Sequence, residues 1–168
     1  MFGPRNTSFV VDRIYYVDDE SVPNRLVYPA RGHVDIQLTK SARGDVDRTL
    51  VQLSHETVHT LWPIGVDGTL VIEEGAATYF SMVAPVYIDT TYPDRLREGL
   101  TGIYSSWLAA ERDVRALLSF NPAAIRDARR ARSFCEISAE DLVAVGCESD
   151  VAQRLVAKFA LSHPDPSA

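Results

Sequence analysis

The sequence has 168 residues, 46% of them hydrophobic and 24% charged, with a formal net charge of -6 at pH 7. That is one domain's worth of chain with enough apolar side chains to bury a core, which excludes a disordered tail. The acidic balance speaks against nucleic acid as a partner, and no apolar run approaches the roughly 20 residues of a membrane span. The opening residues MFGPRNTSFVVDR hold no long apolar run, so no signal peptide is expected and the reading is a cytoplasmic protein. Cys135 and Cys147 have no CxxC spacing and are expected to be reduced thiols.

Residues 8–17 (SFVVDRIYYV) are β-branched and aromatic and read as a strand. Turn chemistry at 18–24 leads to a second short strand at 25–28. HVDIQLT at 33–39 alternates Val34, Ile36, Leu38 with Asp35, Gln37, Thr39, the pattern of a half-buried strand. Asp45 or Asp47 can cap a helix that runs to about Trp62, where Pro63 stops it. IGVDG turns the chain, and a second helix is expected from about Thr69 to Val83, before Pro85. Leu96, Leu100, Ile103, Trp107, Ala110, Val114 and Leu117 fall in steps of four and three, which predicts one long amphipathic helix. Asn121-Pro122 opens another, ending near Arg132. Ser138 with Asp141 reads as a capping box, and Asp150 as the cap of a last helix ending near Leu161. The fold class is α+β: a small N-terminal sheet followed by five or six helices in one domain. Strands occupy 1–43, helices 44–162, and 163–168 form a loose tail.

Chemistry concentrates at HETVH, residues 55–59. On a helix, His55 and His59 project from one face about 6 Å apart, and both can reach one metal. Glu56 sits about 100° round, placed to hold a water rather than the ion. Neutral imidazoles bind Zn2+, the ion acidifies water, and a carboxylate takes the proton. A helical wheel puts Val46, Leu50, Leu53, Thr57 and Leu61 on the opposite side as a core stripe made without the histidines. Two histidines leave zinc short of one protein ligand, and IEEGAATYFS at 72–81 offers it. With Ile72, Ala76, Tyr79, Phe80 and Val83 as its core stripe, Glu74 points away from the core together with Ala77, Thr78 and Ser81, small residues that allow close helix approach. Glu74 is therefore expected as third ligand and Glu73 as a neighbour that tunes the site.

HETVH followed by EEGAATYF resembles the gluzincin branch of the zincin metallopeptidases, in which HExxH precedes a glutamate in an E-G-x-A-x-Y/F context; here these are His55, Glu56, His59, Glu74, Gly75, Ala77 and Tyr79. The resemblance spans roughly residues 33 to 83. It implies a zincin-like fold with HExxH on the active-site helix, zinc held by His55, His59 and Glu74, and Glu56 as general base. It also implies an upstream strand whose edge holds the substrate backbone, a place that 33–39 fills. Thr78 stands where thermolysin-like members carry an acidic residue that steadies a ligating histidine.

The expected function is thus zinc-dependent hydrolysis of a peptide or protein substrate. Tyr87, Tyr92, Tyr104 and His33 are conceivable oxyanion partners, although packing is the simpler role for each. The alternatives are a non-catalytic zinc-binding interaction module, whose closed site would draw a fourth ligand from Glu73 or His33, and a regulatory peptidase specific for one cytoplasmic protein. In the latter, the arginines of RDARRARS at 126–133 would dock the target, where a solvated helix face is the plainer reading. The sequence does not specify an oligomeric state.

Overall fold

The computed structural model describes residues 1–63, 68–87, 89–99 and 104–160. The expected turn at 64–67, the stripe positions Leu100 and Ile103, and the tail with His163 lie outside the described residues. The chain is α+β: among the described residues a three-stranded sheet comes first and seven α-helices follow it.

Strands β1 (Val10–Tyr16), β2 (Arg25–Ala30) and β3 (His33–Leu38) lie in the order β1-β3-β2. β2 and β3 form an antiparallel hairpin whose turn ends on Gly32 at φ 78, a conformation that suits glycine. β1 joins β3 in parallel, with an irregularity between Val11 and Ile14. β3 is therefore the central strand and not half-buried as its alternation suggests: every residue from Val34 to Leu38 is buried. Its polar face is covered by side chains that satisfy it. Arg13 Nε donates to Asp35 Oδ2 at 3.1 Å, and Gln37 Nε2 donates to the Pro23 carbonyl at 2.8 Å. Both edges of β3 are occupied, so it offers no edge to a substrate; β2 carries one of the sheet's free edges.

Helix α1 (Val46–His59) starts where expected, with the Asp45 carboxylate accepting from Arg48 N at 2.9 Å. Its burial differs from the wheel. Val46 is 68% exposed and Thr57 is exposed, while Ser54, Glu56 and Val58 are buried. The reason is that α1 lies against both the sheet and helix α2 (Val71–Val83), so the face with the polar residues is the covered one. α2 is buried nearly all round, because it also packs on α4 (Ser105–Phe120). Ile72 and Ala76 are in the core as expected, and the small residues do admit α1: Ser81 Oγ donates to the Val51 carbonyl at 3.2 Å.

Of the single long helix expected from 96 to 117, the described residues form α3 (Tyr92–Gly99) and α4. α5 (Ala124–Arg129) ends earlier than expected, at Arg130 and Ala131, both left-handed at φ 47 and φ 62. For non-glycine residues that conformation costs about 1 kcal/mol or more each. α6 (Ala139–Ala144) has the expected capping box of Ser138 and Asp141. α7 (Ser149–Leu155) begins one residue before Asp150, which pairs with Arg154 at 3.1 Å and is not the cap. Beyond α7 the chain is extended and returns to the start of α2: Val71 N donates to Ala157 O at 2.9 Å and Phe159 N to Thr69 O at 2.8 Å. Cys135 and Cys147 are free thiols. Among the described residues no helix is long and apolar enough to cross a membrane.

Candidate metal centre

The HETVH segment is helical, and α1 brings both histidines to the α1–α2 interface, where α2 meets them with its first turn. His55 Nε2 lies 3.3 Å from Glu74 Oε2, and His59 Nε2 lies 3.7 Å from Glu74 Oε1. The imidazole centroids are 5.0 Å apart. Among the described residues, His55, His59 and Glu74 form the one group able to hold a metal ion, with ligand atoms all within 4.8 Å of one another. Tetrahedral zinc with bonds of about 2.0–2.1 Å separates its ligand atoms by about 3.3 Å. The donor set and its spacing fit that ion.

Two of the three candidate ligands, His59 and Glu74, are held from behind. Glu73, next in sequence to Glu74, places Oε1 2.8 Å from His59 Nδ1. That bond leaves Nε2 as the lone-pair nitrogen facing Glu74. Glu74 accepts from the Thr69 hydroxyl at 2.8 Å through Oε1 and from Trp107 Nε1 at 3.0 Å through Oε2. The segment after α7 fixes both donors: it bonds the Thr69 carbonyl, and the Phe159 ring stacks 5.3 Å from Trp107. Glu56 is 4% exposed, and Asn24 Nδ2 donates to its Oε1 at 2.6 Å.

The electrostatics call for a cation. Three carboxylates, Glu56, Glu73 and Glu74, are buried around two imidazoles, an arrangement that burial alone makes costly. Burial pushes the His59 imidazole down, but the bond to Glu73 and the charges of Glu74, Glu73 and Glu56 outweigh it and raise the group to about 9. Burial likewise pushes Glu74 up, and its bond to His55, the charges of both histidines and the Thr69 hydroxyl outweigh that and hold it at about 2.

The centre opens into a cleft of about 1210 Å3 lined by both histidines, Glu56, Glu73, Glu74 and, on the opposite wall, β2. An adjoining pocket of about 140 Å3 shares His55, Leu96 and Trp107 with the cleft and is walled also by Val51. Of the oxyanion candidates, Tyr104 lines the cleft, exposed, 5.6 Å from the Trp107 ring. Tyr92 lines it too but is buried, its hydroxyl 3.4 Å from the Asp47 carbonyl, and burial pushes it well above the ordinary phenol range. His33 pairs with Asp12 at 2.7 Å on the sheet and is not among the cleft residues. The side chain of Tyr87 lies outside the described residues. Tyr79 packs against the core, as expected.

The structure brings together the residues that sequence reasoning singled out, His55, His59 and Glu74, with Glu56 and Glu73 beside them. That reasoning misses Asn24, hidden in a turn, Thr69, and Trp107, which the apolar count assigned wholly to packing. In the arginine run Arg126 and Arg130 are exposed, as the solvated-face reading expects, with Arg126 paired to Asp127; Arg132 is half-buried and pairs with Asp141, and Arg129 alone is fully buried. No protein-family model, curated protein or solved structure matches this chain.

Proposed function

We propose that this chain is a zincin-like, zinc-dependent peptidase. The observation that supports it most is the convergence of His55 Nε2, His59 Nε2 and the Glu74 carboxylate, with ligand atoms inside 4.8 Å, beside the buried Glu56 in one open cleft. His55, His59 and Glu74 would hold the ion; Zn2+, when bound, supplies Lewis acidity and lowers the pKa of water. The protein's own groups do the rest. Asn24 fixes one oxygen of Glu56 and leaves the other to take a proton from the attacking water and return it to the leaving amine. Glu73 and Trp107 keep His59 and Glu74 in place during the transfer. Tyr104, which lines the cleft and is exposed, would donate to a developing oxyanion.

The peptide backbone would lie on β2, which among the described residues is at one edge of the sheet and whose residues Arg25, Leu26 and Tyr28 line the cleft. The pocket walled by Val51, Leu96 and Trp107 suits one apolar side chain next to the bond that is cut. A closed structural site is the weaker reading. Glu73 is engaged on the far nitrogen of His59, and His33 lies on the sheet with Asp12, so neither is placed as a fourth ligand. The test is Glu56→Gln. It should bind zinc as the wild type does and lose at least a hundredfold in cleavage of a mixed peptide library read by mass spectrometry. Cleavage that survives the change refutes the mechanism.

A further inference from the structure

On α1 and α2, Thr57 and Ser81 turn their hydroxyls back on their own helix. Thr57 donates to the Leu53 carbonyl at 2.7 Å and Ser81 to the Ala77 carbonyl at 2.8 Å, each one turn behind. Thr78, one turn after Glu74 on α2, does not. It is 4% exposed, and its Oγ1 is buried with no hydrogen-bond partner among the described residues. An unpaired buried hydroxyl costs stability, and an apolar residue of nearly the same shape would avoid that cost. Packing alone therefore favours valine at this position.

The open volume that Thr78 borders is the pocket of about 140 Å3 that also has His55 on its wall. A cavity of roughly 150 Å3 holds one benzene ring, so this one has room for a side chain of about that size. Val51, Leu96 and Trp107 give it apolar walls, which suit the stem of such a side chain. Apart from the proposed ligand His55, its polar side chains are all uncharged: Asn24, Gln52, Thr78, Ser81 and Tyr104. Several of these are already engaged. Asn24 Nδ2 donates to Glu56, Gln52 bonds Thr39 through both ends of its amide, and Ser81 donates within α2. The Thr78 hydroxyl keeps its full bonding capacity. A charged side chain in this pocket would lose its hydration without meeting a counter-charge. A wholly apolar one would leave the Thr78 hydroxyl unpaired. A side chain that ends in an uncharged donor or acceptor would satisfy it.

We propose that Thr78 is a specificity-determining residue. The pocket beside His55 selects a substrate side chain that is apolar along its stem and ends in an uncharged hydrogen-bonding group: glutamine, asparagine or threonine over methionine, leucine or valine. The inference rests on the peptidase reading above. The experiment uses the full chain, loaded with zinc, as wild type, Thr78→Val and Thr78→Ser. Peptides that the wild type cleaves are remade with glutamine against methionine, asparagine against leucine and threonine against valine, in turn at the residue on either side of the cleaved bond. The ratio of kcat/KM within each pair gives the preference. Urea unfolding of the metal-free proteins gives a readout that needs neither zinc nor activity.

Wild type should prefer the polar member about tenfold or more at one of the two positions, because a site that bonds a substrate group rejects the analogue lacking it. Thr78→Val should lose or reverse that preference and be at least as stable as wild type, since it removes an unpaired hydroxyl. Thr78→Ser, which keeps the hydroxyl, should keep the preference. Wild type that cleaves peptides without favouring the polar member overturns this inference and leaves the peptidase reading standing. An unchanged preference in Thr78→Val, or its loss in Thr78→Ser, does the same. A Thr78→Val protein that is less stable than wild type, or that fails to fold, shows the hydroxyl to be bonded within the fold and also overturns it. Wild type that cleaves no peptide overturns both readings.

Discussion

Gly75 follows the proposed ligand Glu74, and the structure gives a physical reason for a glycine there. A Cβ built on Gly75 would lie 2.5 Å from the Ala110 carbonyl oxygen, 2.8 Å from its carbon and 2.8 Å from Val114 Cγ2. Two of these atoms belong to the backbone of α4 and cannot step aside as a flexible side chain would. Gly75→Ala therefore sets two effects against each other. Alanine gains about 1 kcal/mol of helix propensity over glycine in a helix interior. Overpacking costs about 1–3 kcal/mol, and more where backbone must move. The obstruction here is backbone, so the upper part of that range applies. The net expectation is a loss of about 1–2 kcal/mol, or roughly 2–8 °C in Tm for a chain of this size.

The same displacement reaches the site. Trp107 lies on α4 one turn before Ala110, and its indole donates to Glu74 Oε2 at 3.0 Å. Pushing α4 outward by a few tenths of an ångström lengthens that bond. Gly75→Ala should thus lower zinc affinity by about tenfold as well as Tm, whereas a destabilising change remote from α4 should lower Tm alone. Calorimetric Tm of the metal-free protein and chelator competition measure the two. A Gly75→Ala protein as stable as wild type would refute the close α2–α4 packing from which the argument starts. A destabilised variant with unchanged zinc affinity would refute the coupling through Trp107.

Trp107→Phe keeps the ring stack with Phe159 and removes the donor to Glu74; zinc affinity should fall about tenfold, or 1.4 kcal/mol, with little change in fold, as read by competition titration and circular dichroism. Glu74→Ala removes a ligand and leaves the Thr69 and Trp107 donors unpaired, so the purified variant should hold less than a tenth of the wild-type zinc by elemental mass spectrometry. The His59 group, raised to about 9, stabilises the metal-free fold fully below pH 6.5 and loses that contribution as pH rises through about 9, by at most about 3 kcal/mol; urea unfolding across that window measures it. Because zinc must displace that proton, binding near pH 7.5 should release about one proton, seen as a dependence of the calorimetric enthalpy on buffer ionisation. Equal enthalpies after buffer correction for zero protons would show that His59 is neutral in the metal-free protein.

Local signals in the sequence carried furthest where the chemistry is local. The caps at Asp45 and Ser138 depend on residues three apart and could be read directly. The spacing of His55 and His59 needs only helix geometry. The errors arose where a pattern was judged without its neighbours. Val34 to Leu38 alternate like a strand with one wet face, yet Arg13 and Tyr15 of the adjacent strand cover Asp35 and Gln37. The α1 wheel assumed that apolar residues mark the buried face. A polar site between two layers inverts that rule, because Glu56 and Ser54 are buried for what they bond and Val46 is left in solvent.

Trp107 shows why such a site resists reading from one chain. Its spacing makes it a core residue, and its ring does pack, between Tyr104 and Phe159. Only the indole nitrogen reaches the candidate site, and its partner is Glu74, 33 residues earlier. The support of Glu74 by Thr69 and Trp107 in turn depends on the strand after α7, which bonds Thr69 and stacks on Trp107. HETVH and Glu74 therefore supply the donor atoms, but their geometry is set by residues from the turn at Asn24 to the segment at Phe159. Loss of the C-terminal extended segment should accordingly weaken zinc binding without touching any ligand. Phe159→Ala, which removes the stack and leaves the backbone bonds in place, is the smallest change that separates this indirect support from loss of the fold.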